Sequence, residues 1–553
     1  MTVGEDDTFV IHGPEPYEQI SDDTVGKIVF DSLMSNTVKH DAMVDVYTGE
    51  RITYKYILEE SCNLAEALRA FGCSSDSVIS VCSENNLQFF IPVLAAQFIG
   101  AVVAPLNHYY IEDELKHALC ITKPTIVFCS EEVADKFVDL KDELTFLKLV
   151  IIIDSSEPVP GTEYLPNFVR RLLLGNKVSP HTFKPFNSDA AQKVAFVLCS
   201  SGTTGLPKGV MLTHRNMATR DAQTRDPRYA TTLTDEDVLL GLMPFFHGYG
   251  LNMGLSSIIK QNKIVVMKRF EGDVFLKAIQ DYKISILALA PPLAIFLAKT
   301  PELNNYDLSC VKQAFCGAAP LDKEIDAILR KRLNIKAVRQ AYGLTESNLA
   351  VTIMEDNVTN KPGSSGTVIT YMSVKVRDTE TGKSLGPNKV GEICVKGPLV
   401  MKGYFNNEQA TRDSFTPDGW LRTGDLGYYD DDKYFYIVDR LKELIKYKGY
   451  QVAPAELEAI LLGHPKVIDV GVVGLPDEIS GELPIAFVVK DDEENVTEQE
   501  LQDYVASKVS PQKRLRGGVI FVSSIPKNPS GKILRRELRA SLNDHRAKLE
   551  SKL

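Results

Sequence analysis

The chain has 553 residues, more than one compact core carries, so at least two domains are expected. Hydrophobic residues make up 44% and charged residues 24%, the balance of a soluble globular protein. A formal net charge of -11 excludes a broad nucleic-acid or membrane-surface footprint, which needs net basic character, but leaves room for a local basic site.

Residues 1–15 are acidic and lack the apolar core of a signal peptide. Thr53 is placed to N-cap a helix over 54–71 that stops at Gly72. A strand at 78–82 and an apolar helix near 87–98 follow. Strands at 102–104, 125–129 and 149–153 and a helix over 112–120 continue the pattern. The run 87–106 resembles a membrane span. Its Gln88, Gln97, Pro92 and Pro105 favour a buried helix and a buried strand, so no transmembrane segment is expected. Further on come a strand at 264–268, a helix at 275–282 and a strand at 284–290. Such alternation predicts parallel, doubly wound α/β layers. The nine cysteines include no C-x-x-C pair and sit mostly in apolar runs, which points to reduced core cysteines rather than metal ligands.

From Gly363 the texture changes. Short Val/Ile runs at 374–376 and 392–395, broken by Gly and Pro, predict a small barrel-like antiparallel β unit over 363–440. After Arg440, strands at 467–473, 485–490 and 518–522 interleave with two helices. One starts at Pro454 and ends at Leu462; the other opens on a capping box, Thr497-x-x-Glu500. The boundary is placed at Arg440-Leu441-Lys442. Residues 1–440 form a large N-terminal domain, and 441–553 a small, mobile α+β domain.

The most informative segment is Ser200-Ser-Gly-Thr-Thr-Gly-Leu-Pro-Lys-Gly209. Its glycines permit close backbone approach to an anion, and its hydroxyls and Lys208 add donors. It is no Walker A loop, because Val210-Met-Leu212 continues as a strand instead of a helix. The segment therefore joins strands 194–198 and 210–212 as a hairpin, either as an anion-binding loop or as a plain flexible tip.

Ser201-Gly-Thr-Thr-Gly-Leu-Pro-Lys-Gly209 resembles the phosphate loop of the adenylate-forming superfamily. That superfamily includes acyl-CoA synthetases, 4-coumarate–CoA ligases and firefly luciferase. Five further stretches resemble its signatures in the same order. They are Gln340-Ala-Tyr-Gly-Leu-Thr-Glu346, Trp420-Leu-Arg-Thr-Gly-Asp425, Asp439-Arg-Leu-Lys442, Ile445-Lys-Tyr-Lys-Gly-Tyr450 and Pro526-Lys-Asn-Pro-Ser-Gly-Lys532. The resemblance is nearly full-length. It implies ATP, Mg²⁺ and coenzyme A as partners of a carboxylic acid.

The resemblance also implies roles. Ser201, Gly202, Thr203, Thr204, Gly205 and Lys208 would cradle phosphates. Gly317, Ala318, Ala319, Gln340, Ala341, Tyr342 and Gly343 would surround the adenine. Thr345 would hydrogen-bond the α-phosphate, and Glu346 would ligate Mg²⁺. Asp425 and Arg440 would hold the ribose. Lys532 would place its charge on the α-phosphate and acyl oxygen. Lys446, with Lys448 and Gly449, would serve thioester formation after the small domain turns about Lys442. Taken singly, Asp425 also reads as a turn Asp and Lys532 as a solvated lysine.

Pro244-Phe-Phe-His247-Gly-Tyr-Gly250 resembles the acyl-pocket segment, with Arg220, His247, Tyr249, Gly317, Leu344 and Leu349 as lining. The lining reads as apolar, suited to a fatty or aryl acid. The match is nearest to insect luciferases and the fatty acyl-CoA synthetases that resemble them. Leu349 stands where luciferases carry a Ser, and Phe246 replaces a second His beside His247. These two positions favour a medium- to long-chain fatty acyl-CoA synthetase over a luciferase. A non-catalytic ATP- or acyl-binding protein is disfavoured by the intact Lys532, Glu346 and Asp425. The final Ser551-Lys552-Leu553 reads as a peroxisomal address for an import receptor.

Overall fold

The computed structural model describes residues 9–155, 159–200, 207–229, 234, 236–317, 321, 323–355, 361–448, 450–477, 479–490, 496–528 and 531–550, with side chains to 542. Ser201, Gly202, Thr203, Thr204, Gly205, Ala318, Ala319, Gly449 and Ser551-Lys552-Leu553 lie outside the described residues.

The chain alternates strand and helix from residue 43 to residue 344, and the strands gather into two large sheets. In the eight-stranded sheet, Val102–Leu106, Val78–Cys82, Ile126–Cys129 and Leu149–Ile152 run parallel. Their apolar side chains are buried on both faces, as helices on either side of a parallel sheet require. One flank of this sheet is the expected hairpin. Val194–Ser200 and Lys208–Thr213 pair antiparallel, with Lys208 opposite Ser200. The nine-stranded sheet runs Met43–Asp45, Lys263–Val266, Val238–Gly241, Ile286–Leu289, Gln313–Cys316 and Val338–Leu344 in parallel succession. One continuous hydrophobic core joins the two sheets.

Local signals act as expected. The Thr53 hydroxyl accepts the Tyr56 N–H at 3.1 Å and starts the helix Tyr54–Phe71. Gly72, at φ 101°, ends it in a conformation that costs other residues dearly. The apolar run near 87–106 becomes the wholly buried helix Phe90–Phe98 and the strand Val102–Leu106. Among the described residues no helix is long and apolar enough to cross a membrane. All nine cysteines are free; six are buried and Cys120 is exposed.

A five-stranded antiparallel sheet holds Ser373–Arg377, Gly391–Lys396, Leu421–Tyr429 and Phe435–Arg440, with Ile11–His12 on its edge. Beyond Arg440, the hairpin Val467–Asp477 and Gly481–Lys490 anchors another five-stranded sheet. Helices Pro454–Leu462 and Glu498–Ala506 contribute to its separate core. The capping box expected at the second helix is only half made. Thr497 accepts the Glu500 N–H at 3.1 Å, but the Glu500 carboxylate turns to the Lys466 ammonium at 3.4 Å. The architecture is mixed α/β, with a large N-terminal part and a small C-terminal part.

Candidate active site

The register of two strands sets the first piece of the site. Leu421–Tyr429 and Phe435–Arg440 pair so that Asp425 stands opposite Arg440. Arg440 Nε lies 3.0 Å from Asp425 Oδ1. From the nine-stranded sheet, Tyr342 donates its hydroxyl to Asp425 Oδ2 at 2.7 Å. Burial, and then the Asp425 charge, push the Tyr342 phenol well above its usual range. It therefore stays a donor at any physiological pH.

Lys532 arrives from the small C-terminal part. Asn528 Oδ1 accepts the Lys532 N–H at 2.8 Å, and the Asn528 N–H donates to the Lys532 carbonyl at 2.9 Å. Gly531, at φ 83°, turns the loop. The Lys532 side chain borders a cavity of about 640 Å³ whose wall also includes Arg440, Tyr342, Thr345, Glu346 and His247. Burial lowers its pKa to about 8; the nearby Arg440 charge acts in the same direction and Asp425 opposes it.

His247 N-caps the helix Gly248–Lys260. Its Nδ1 accepts the Tyr249 N–H at 3.3 Å. Burial, then the Lys532 charge, lower its pKa to about 4. The neutral ring with Nδ1 as acceptor carries its proton on Nε2, which leaves one N–H donor at the cavity.

Thr345 and Glu346 sit on a single 3₁₀ turn, Thr345–Ser347, directly after the strand Val338–Leu344. Tyr404 donates to Glu346 Oε1 at 3.0 Å, and Lys208 Nζ stands 4.8 Å from the Tyr404 ring centre. Among the described residues no cluster of three or more metal-ligating side chains exists. Glu346 alone suits a Mg²⁺ that takes its other ligands from phosphate and water, as that ion prefers.

Leu349 has φ 79°, an unfavourable backbone for a leucine. The surroundings hold it there. The Arg220 guanidinium donates to the Asn348 and Ala350 carbonyls, each at 2.8 Å, and Ser347 Oγ donates to the Leu349 carbonyl at 2.7 Å. Arg220 thus borders the cavity and also clamps the backbone on both sides of Leu349. Burial lowers its pKa to about 9, so it remains charged at neutral pH.

The cavity wall includes Lys208, Arg220, His247, Tyr249, Gly317, Ala341, Tyr342, Gly343, Leu344, Thr345, Glu346, Leu349, Arg440 and Lys532. Asp425 stands behind it, bonded to two of these. Three expected residues stand elsewhere. Gln340 is buried and accepts the Leu321 N–H at 3.3 Å. Lys446 is exposed, because Ile445 and Tyr447 on either side turn into the small core and strand alternation sends it outward. Lys448 stacks near the Tyr447 ring at 5.7 Å and also misses the cavity.

Sequence reasoning missed Tyr404, Asn528 and the far end of the pocket. The lining, expected to be apolar, is more polar than that. Gln223, Ser257, Lys260 and Asn262 border the same cavity. The signal for part of this was available: Met253, Ser256, Ser257 and Lys260 recur at helical spacing from Tyr249. Tyr404 carried no such signal.

Known proteins match this chain along most of its length. A family model described as AMP-binding enzyme matches residues 30–405, and one described as AMP-binding enzyme C-terminal domain matches 456–532. Luciferin 4-monooxygenase of Photuris pensylvanica is 43% identical over 98% of this chain and 100% of its own. 4-Coumarate–CoA ligase 3 of Arabidopsis thaliana is 39% identical over 90% of this chain and 87% of its own. ATP-bound MatB from Rhodopseudomonas palustris superposes with a TM-score of 0.83 at 26% identity, covering 94% of this chain and 99% of its own. The apo form of the same MatB gives 0.73 over the same coverage. With both family models matched in order, this chain belongs to the AMP-binding, adenylate-forming enzyme superfamily.

Proposed function

We propose that this enzyme activates a medium- to long-chain fatty acid as its acyl-AMP and then transfers the acyl group to coenzyme A. The observation that supports this most is one cavity with two ends. At one end Lys532, His247 and the Asp425–Arg440–Tyr342 group converge. From there it continues past Leu349 along the helix Gly248–Lys260.

In the first step a carboxylate oxygen attacks the α-phosphorus of ATP, and pyrophosphate leaves with the electrons of the broken P–O bond. Charge builds on the phosphoryl oxygens, so positioned cations and donors carry the catalysis. Asp425 would accept from the ribose hydroxyls while Tyr342 and Arg440 hold its orientation. Thr345 would donate to the α-phosphate, and Lys532 would bridge α-phosphate and acyl oxygen. A Mg²⁺ on Glu346 would neutralise the departing phosphates. His247, neutral with an Nε2 proton, would donate to the carboxylate without adding a competing charge.

In the second step the thiol sulfur attacks the acyl carbon, AMP leaves with the electrons of the broken C–O bond, and the thiol proton passes to solvent or to the departing phosphate. We assign this step to Lys446 after a rotation of the small domain, residues 441–553, about Lys442. Exposure of Lys446 in the present pose is compatible with that division of labour. The boundary at 440/441 and peroxisomal import through Ser551-Lys552-Leu553 belong to the same proposal and rest on sequence. Import is tested by whether a fluorescent fusion loses punctate localisation without that tripeptide.

A second reading, oxidation of a luciferyl adenylate, is favoured by the 43% identity to a luciferin 4-monooxygenase. Leu349 weighs against it, because an alkyl side chain removes a donor from the pocket. A panel of medium-chain, long-chain and aryl acids and luciferin, with ATP and with or without coenzyme A, separates the readings. Fatty acids yielding pyrophosphate and thioester support the ligase. Light with luciferin and no thioester from any acid would replace it by the luciferase.

A further inference from the structure

We propose that the side chain of Lys260 closes the inner end of the acyl cavity and so sets the longest acid this enzyme activates. This inference rests on the acid-activating function proposed above and names the residue that limits its substrate.

Lys260 is the last residue of the helix Gly248–Lys260. The cap of that helix, His247, feels the Lys532 charge and so marks the reacting end. Tyr249, Met253, Ser257 and Lys260 follow one another at helical spacing along one wall of the cavity. At a rise of 1.5 Å per residue the two ends of the helix lie about 18 Å apart. An acyl chain laid along this wall from the reacting end therefore meets Lys260 last.

Beyond Lys260 lies a second cavity, bordered by Ile28 and Ser32 of the helix Val25–Met34, by Ala218 and Asp221 of the helix His214–Thr224, and by Ile259. Among the described residues Lys260 alone borders both cavities. Next to it the partition is a single helix thick. Arg220, Gln223 and Thr224 face the first cavity, and Ala218, Asp221 and Ala222 face the second. That helix ends at Thr224. There the Lys260 side chain continues the partition, its ammonium donating to the Thr224 carbonyl at 2.5 Å. A cation suits the unpaired carbonyls at a helix C-terminus.

The charges that act on this ammonium stand on the far side. Burial lowers its pKa to about 8, the Asp221 charge opposes and the Arg225 charge adds to the lowering. Asp221 and Arg225 both border the second cavity and pair with each other at 2.6 Å. With its head drawn to Thr224 and these charges, the apolar stem of Lys260 is what closes the first cavity. The backbone beneath it is tied down. Ser32 Oγ donates to the Ile259 carbonyl at 2.6 Å, Gln261 Nε2 to the Ser32 carbonyl at 2.8 Å and Asn262 Nδ2 to the Thr234 carbonyl at 2.6 Å. A shortened side chain on a fixed backbone leaves a gap that relaxes only in part, so a smaller residue here joins the two cavities.

The test is pyrophosphate release by the full chain with octanoic, lauric, palmitic and arachidic acids. Each kcat/KM is divided by the octanoic acid value of the same preparation, so that any loss of folded protein cancels. The unaltered enzyme should show a fall of about tenfold or more at one step of the series, as a filled pocket does for added methylenes. Lys260→Ala, which keeps a good helix former, should move that fall to a longer acid and raise the first rejected acid by about tenfold or more. Lys260→Met, which keeps most of the stem, should move it less. Ile28 borders only the second cavity, so Ile28→Ala should leave the fall in place. No fall up to arachidic acid in the unaltered enzyme, a fall unmoved by both substitutions of Lys260, or one moved as far by Ile28→Ala overturns the proposal while leaving acid activation intact. Pyrophosphate from none of the acids overturns the acid-activating reading with it.

Discussion

Gly531 lies against Pro292: a β-carbon built on Gly531 would stand 3.2 Å from Pro292 Cδ and 3.3 Å from the Ala290 Cβ. This contact seats the loop next to Lys532 on the wall of the large part. Gly531 also has φ 83°, which L side chains rarely adopt. Gly531→Ala should therefore withdraw Lys532 from the cavity. The backbone penalty alone is about 1–2 kcal/mol, so adenylation should slow by about tenfold or more. Thioester formation from supplied acyl-AMP, which uses another pose, should fall less. Equal losses in both half-reactions would contradict this seating.

Asp425 is held by one cation and one neutral donor, and the two should be separable. Asp425→Asn keeps the shape but loses the charge that pairs with Arg440. The expected loss is about 1.5–3 kcal/mol, read as a tenfold to hundredfold rise in KM for ATP. Tyr342→Phe removes a single hydroxyl at 2.7 Å and should cost about 0.5–1.5 kcal/mol. ATP titrations of both variants check the order.

The pH profile should report Lys532. Its charged form is the active one, and its pKa in the free enzyme is lowered to about 8. The charged fraction falls as pH rises through that value, so kcat/KM for adenylation should decline on the alkaline side. Lys532→Arg should move that limb to higher pH. Asp425→Asn should move it lower, because Asp425 favours the Lys532 charge. His247, at about 4, should add no limb near neutrality.

Leu349 is the residue on which the proposed ligase reading and the luciferase reading part. Serine there restores a donor at a position whose backbone is already fixed by Arg220 and Ser347. Leu349→Ser should raise light emission with luciferin and lower kcat/KM for long-chain acids. Unchanged emission would count against the pocket assignment.

Much of this was legible in sequence because it depends on local signals. Thr53 and Gly72 bracket a helix by capping, and the Ser200–Gly209 run is flanked by strand-forming residues that pair as a hairpin. The strand Val467–Asp477 outran its expected end at 473. Its residues 474–477 pair with 481–484, and tertiary pairing overrode the break signalled by Gly474 and Pro476. The site was legible where motif residues face inward, as Lys532, Arg440 and Glu346 do. It was not legible for Gln340, whose role follows from the Leu321 amide above it, nor for Tyr404, which reaches Glu346 from 58 residues away. The polar side of the pocket was missed because Gln223, on the helix His214–Thr224, borders the cavity from far away in sequence from Lys260 and Asn262.

The most direct measurement is single-turnover pyrophosphate release by Lys532→Ala, set beside Lys446→Ala. A positioned cation at developing phosphoryl charge is worth about 10²–10³ in rate. The account predicts a loss of that order for Lys532→Ala, with thioester formation from preformed acyl-AMP largely kept, and the opposite pattern for Lys446→Ala. Adenylation at the unaltered rate without Lys532 would contradict it.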